Sequence, residues 1–154
     1  QVEFLTSLFP AARIAGSIQE PGLERCAAID ARVRWVPVDP DLPPMGALVA
    51  LLSAGPADGW ATLHHVDMPV WERGLFEKLD AGIPEAELLR AEAVVPVFDR
   101  RRGHPVLLSP AAQEALRGAD PAKDRLDLWL RARNVLVVEV PQTSILENRN
   151  SRAV

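Results

Sequence analysis

Apolar positions along the chain alternate between helical and extended periods. Val2, Phe4, Leu5, Leu8 and Phe9 fall on one helical face and Pro10 stops the run, so the spacing predicts a helix over 2–9. A short strand is expected at 12–15, a helix from Pro21-Gly22 to about 28, and a β-rich strand at 33–38. Prolines 40, 43 and 44 make a stiff loop, and Gly46 leads into an apolar helix over 47–53. The run 60–66 is nearly continuous in apolar and β-branched residues, the pattern of a strand covered on both faces in a parallel sheet. Helical spacing at Trp71, Leu75 and Leu79, and a start signal at Pro84, predict two further helices reaching about 79 and 90. Strands at 93–97 and 106–108 flank a charged turn at 99–103 and should pair as a hairpin. Ser109 with Pro110, and Asp120 with Pro121, are N-cap signals for helices to about 117 and 133, and 135–140 is the last strand.

Strands that alternate with helices predict an α/β protein: a three-layer α/β/α sandwich on a mainly parallel, Rossmann-like sheet with an antiparallel edge hairpin. No repeat, low-complexity run or shift in composition marks a second domain, so 1–154 is expected to form one.

Composition narrows the function classes. At 48% apolar and 25% charged residues the chain has ordinary globular usage, which argues against disorder and coiled coil. No apolar run approaches the ~20 residues that span a bilayer, so no membrane partner is expected. The single Cys26 cannot form an internal disulfide, and a reducing, cytoplasmic setting is the expectation. A net charge of −4 and a pI of about 5.4 argue against nucleic acid as a partner. Arginine outnumbers lysine 15 to 2, which reads first as coding bias, and as phosphate chemistry only where the arginines cluster.

No Walker A, G-x-G-x-x-G, G-x-S-x-G, H-E-x-x-H or C-x-x-C sequence is present. Asp67 is the most informative residue, because it follows the run 60–66, and ligands of open α/β sheets sit beyond the carboxyl ends of strands. Magnesium takes one or two protein carboxylates together with phosphate oxygens, so one Asp in that place suits a nucleotide-triphosphate site; a helix cap is the alternative. His65, two residues earlier, is expected on the same face, as a site residue or as a structural histidine. The cluster Asp99-Arg100-Arg101-Arg102-Gly103-His104-Pro105 is either a solvated hairpin tip or an anion clamp. Asn148, Asn150 and Ser151 offer polar ligands after the last strand, or an ordinary polar tail.

Taken in order, these segments resemble the molybdenum-cofactor nucleotidyltransferases, of the NTP-transferase fold. His65-Val66-Asp67-Met68-Pro69 is similar to that family's strand ending in Asp-x-Pro, and Arg102-Gly103-His104-Pro105-Val106-Leu107-Leu108 to the R-G-H-P-V-L-L stretch of its cytidylyltransferase-like branch. Asn148-Arg149-Asn150-Ser151 resembles the closing N-x-N-T-P, with Ser for Thr and Arg152 for Pro. Pro44-Met45-Gly46-Ala47-Leu48 sits where the family opens a helix near the nucleotide. The resemblance runs from about Phe4 to Arg152. It implies magnesium-dependent transfer of CMP or GMP from CTP or GTP to a phosphorylated acceptor such as molybdopterin. In that reading Asp67 and Asn150 hold the metal, Arg102 and His104 lie near the acceptor as catalytic groups, and Gly46, Asn148 and Asn150 bind the nucleotide. The family's L-A-G-G phosphate loop does not occur in these 154 residues; the helix at 2–9 corresponds to the one that follows it. A second reading therefore takes the chain as a non-catalytic relative that binds a protein partner.

Overall fold

The computed structural model describes residues 1–68 and 70–148. Its strands are β1 (Ala15–Gln19), β2 (Arg34–Val38), β3 (Ala61–Leu63), β4 (Ala93–Phe98), β5 (Arg101–Arg102), β6 (Val106–Leu108) and β7 (Val135–Glu139). The helices are α1 (Val2–Leu8), α2 (Leu23–Ile29), α3 (Pro44–Ser53), α4 (Arg73–Asp80), α5 (Ile83–Leu88), α6 (Pro110–Arg117) and α7 (Leu126–Arg131). Contacts group the chain into two compact units: residues 1–57 with 113–129, and residues 58–112 with the chain from Leu130 on.

In the first unit, β1 and β2 pair in parallel across a connection that contains α2. Gly16 lies opposite Trp35, and a Cβ on Gly16 would fall 2.7 Å from the indole, so the glycine makes room for the ring to cover the strand. Helix α3 begins at Pro44, where a proline's missing N–H leaves nothing unpaired, and buries Met45 and Leu48. Its carboxyl end is held by arginines. Arg117 donates from Nε to the Leu52 carbonyl at 3.0 Å and from Nη2 to the Gly55 carbonyl at 2.7 Å, and Arg34 donates to the Ala54 carbonyl. These bonds satisfy carbonyls that a helix end leaves without an internal partner, and they place positive charge at its negative pole.

The second unit is organised by β4. Its run AVVPVF is apolar throughout because both faces are covered: Ala93, Val94 and Val95 are buried. On one side β4 pairs in parallel with β7; on the other it pairs antiparallel with β6 and then β5. Beyond β6 lies β3, antiparallel to it. Since β6 runs against both neighbours, β3, β4 and β7 share one direction, and their carboxyl ends emerge at one edge of the sheet. Leu75, Phe76 and Leu79 of α4 bury the apolar face of an amphipathic helix.

The mixed α/β class and most elements match the sequence pattern, with informative differences. The strand expected at 60–66 is only three residues long, half-buried and at one end of the sheet path, because β6 inserts between it and β4; the doubly covered strand is β4. Residues expected as a strand at 12–15 form a 3-10 turn, Ala11–Arg13, with extended structure starting at Ala15. After Asp120 the carboxylate accepts the Ala122 N–H at 3.0 Å in a local turn, so the helix signal is spent there and α7 begins only at Leu126.

Replacement of Arg117 by Met keeps the aliphatic stem but removes both bonds to the end of α3. It is expected to lower the unfolding free energy in urea by about 2 kcal/mol; an unchanged midpoint and slope would refute the capping role.

Candidate active site

Three chain segments meet at the carboxyl edge of the second unit's sheet: the loop after β3, the β5–β6 return, and the chain after β7. The loop after β3 carries His64, His65, Val66 and Asp67, with Val66 84% exposed and Asp67 half-buried. The other two segments take their form from how the ladders break.

Asp99 and Arg100 turn the β4–β5 hairpin with φ of 46° and 61°. Positive φ at both central positions is what a two-residue hairpin turn requires, and Arg accepts it at a steric cost of roughly 1 kcal/mol. The resulting register opposes Val97 to Arg102, whereas further along Val94 opposes Leu107. Four residues, 103–106, thus span the interval that 95–96 cover on β4. The excess bulges out. Pro96 sits at this gap, where a missing N–H costs no ladder bond on the β5–β6 side, and its carbonyl accepts the Gly103 N–H at 2.9 Å. Bulges re-aim side chains, and this one carries His104.

The His104 ring packs edge-on against His65, with centroids 4.4 Å apart and planes at 83°. His64 packs edge-on against Phe76 at 6.0 Å. Burial lowers the pKa of all three imidazoles. His104 is pushed down to about 4, by desolvation first and then by the neighbouring imidazoles, with the Asp67 carboxylate acting in the opposite direction. Near neutral pH all three are uncharged, and His104 Nδ1 is buried with no hydrogen-bond partner among the described residues. The Asp67 carboxylate acts electrostatically on each imidazole, raising its pKa against the larger effect of burial.

The structure therefore brings Asp67, His65 and His104 together. Arg102 lies next to the bulge on β5 and is exposed. Asn148 ends the described chain just after the 3-10 turn Thr143–Leu146, exposed; Asn150 lies outside the described residues. Gly46 belongs to the first unit, buried in the first turn of α3 with Leu42 packed on it; a Cβ there would lie 2.5 Å from Leu42 Cγ. His64 was not singled out from the sequence, although its adjacency to His65 and Asp67 was visible.

Among the described residues no group of three or more His, Cys, Asp or Glu side chains is arranged to enclose a metal ion. That donor set fits magnesium held by one carboxylate, with phosphate and water oxygens completing its shell, and does not fit an all-protein cage. At the opposite end of the sheet, Trp60, Glu87, Arg90, Glu92 and Ser109 line an open cavity of about 360 Å³, away from all of these groups.

Residues 4–137 match the MobA-like NTP transferase domain, across most of the chain and into both units. The chain belongs to this family. Two solved structures share its fold. The bifunctional IspDF from Campylobacter jejuni superposes with a TM-score of 0.70 at 13% identity, covering 94% of this chain and 41% of that one. Molybdopterin-guanine dinucleotide biosynthesis protein A from Archaeoglobus fulgidus gives 0.61 at 16% identity, covering 90% of this chain and 69% of that one. This chain thus spans well under half the length of the bifunctional enzyme. No curated protein sequence matches it. Among the described residues no helix is long and apolar enough to cross a membrane.

Because His104 folds as a neutral imidazole, protonation favours the unfolded chain, where its pKa is near 6.5. Its contribution to stability is present above pH 6.5 and is lost as pH falls toward 4, amounting to about 3 kcal/mol at the acid end. His104→Gln should flatten this part of the stability–pH profile, measured by urea unfolding from pH 7 to pH 4. Parallel profiles for variant and wild type would show that His104 is not the titrating group.

Proposed function

We propose that this MobA-like domain transfers CMP or GMP from CTP or GTP to a phosphorylated acceptor of the molybdopterin type, with the whole chain acting as one nucleotidyltransferase domain. The observation that carries the reading is the convergence, in a chain of this family, of the Asp67 carboxylate, the neutral His65–His104 pair and the Arg102 strand at one sheet edge. In the reaction an oxygen of the acceptor phosphate forms a bond to the α-phosphorus, the bond between that phosphorus and the β-phosphate oxygen breaks, and pyrophosphate departs.

The surroundings of Asp67, Arg102 and His104 support the roles given to them; those of Asn148, Asn150 and Gly46 rest on the resemblance. Asp67 is the carboxylate that would hold magnesium, with Asn148 and Asn150 as polar ligands to the ion, its waters or the nucleotide. The bound ion supplies neutralisation of charge on the phosphate oxygens. Arg102, exposed beside the bulge, can present a planar fork of donors to the acceptor phosphate. The uncharged imidazole of His104 would stand near the acceptor without repelling a cation at Asp67. Gly46 opens the α3 turn, assigned to the nucleotide by the resemblance alone.

The test is release of pyrophosphate from CTP or GTP in the presence of molybdopterin and magnesium. Asp67→Ala should reduce turnover by on the order of 100-fold, and calorimetry should show magnesium-dependent nucleotide binding weakened in the same variant. Undiminished turnover would remove Asp67 from the metal site. A wild-type protein that binds neither nucleotide would be a partner-binding relative instead.

A further inference from the structure

The bulge that carries His104 is not held by its own strands alone. The His104 N–H donates to the Ile145 carbonyl at 3.1 Å, in the 3-10 turn Thr143–Leu146 that follows β7. Gly103 lies against the same residue. A Cβ on Gly103 would collide with the Ile145 carbonyl oxygen and come 2.7 Å from its Cγ1 and 2.8 Å from its Cβ. No glycine among the described residues has a positive φ, so at position 103 glycine is required by space and not by backbone conformation. Ile145 is fully buried and has nowhere to retreat. The turn is tied on another side as well, because Ser144 Oγ donates to Glu72 Oε1 at 2.7 Å, five residues beyond Asp67. Glu147 and Asn148 leave directly from its end.

We propose that the Thr143–Leu146 turn is a strap that positions the site: through the Gly103–Ile145 contact and the Ser144–Glu72 hydrogen bond it holds the His104 ring against His65 and keeps the segments after β3, β5 and β7 in one arrangement. Gly103, Ser144 and Ile145 are positioning residues and touch no substrate. Only the kinetic consequence rests on the nucleotidyltransferase reading; the seating of the ring rests on the contacts themselves. A glycine that merely fills space would, when replaced, cost stability and leave the histidine environments as they were.

The chain has three histidines, which makes their ring signals a direct readout in the intact protein. The rings of His65 and His104 shield one another in edge-on contact, and each signal is assigned by His→Gln replacement. Gly103→Ala and Ser144→Ala should both shift the His104 and His65 ring resonances in NMR spectra of isotope-labelled protein. His64, on Phe76, should move little. Gly74→Ala, where the new methyl meets nothing within 4 Å, serves as the control and should move none of the three. In the pyrophosphate assay both strap variants should lower kcat about tenfold with the KM for the nucleotide unchanged. If Gly103→Ala fails to fold, Ser144→Ala, on a solvent-exposed hydrogen bond, decides the matter. Folded strap variants whose His104 and His65 signals coincide with wild type overturn the proposal. A wild-type protein that neither binds CTP or GTP nor releases pyrophosphate from them would instead defeat the nucleotidyltransferase reading, while the ring shifts in the strap variants would still test the strap.

Discussion

Between Val94 and Val97 the antiparallel ladder on one side of β4 breaks and resumes with two residues in excess on the facing chain. The geometry of the candidate site depends on that break. A continuous β5–β6 strand would send alternate side chains to the two faces of the sheet, and His104 would stand in a regular row. The bulge lifts residues 103–105 out of the row and carries His104 to the ring of His65, which arrives from a different strand end. Pro96 stabilises the break by being unable to donate there, so the ladder loses nothing by opening at that position.

Packing also sets the protonation of the histidines. The imidazoles pack edge-on, His65 with His104 and His64 with Phe76, and desolvation outweighs the Asp67 carboxylate in setting their protonation.

In the first unit the dependence is simpler. The carbonyls at the end of α3 are claimed by Arg34 and Arg117, which are distant from each other in sequence. Arginines read from composition as coding bias prove to be structural at these two positions. Their planar donor forks reach carbonyls that a lysine would serve one at a time.

The alternation of elements is written along the chain, because apolar spacing reports which face of a helix or strand is covered, and the prolines and caps report where elements stop. The sequence also placed Asp67, His104 and Asn148 at the carboxyl ends or returns of strands, since it sets the order of segments. Which strand sits at the centre was not legible: the run at 60–66 suggests a strand covered on both faces, and only the insertion of β6 between β3 and β4 made it an end strand and β4 the core. The His65–His104 contact and the Gly103–Ile145 approach were likewise decided by tertiary structure. Each joins residues some 40 apart in sequence, and no local preference of either segment encodes the distance between them. The identity of these residues is local information, but their juxtaposition follows from register and from a two-residue excess that only the paired strands reveal.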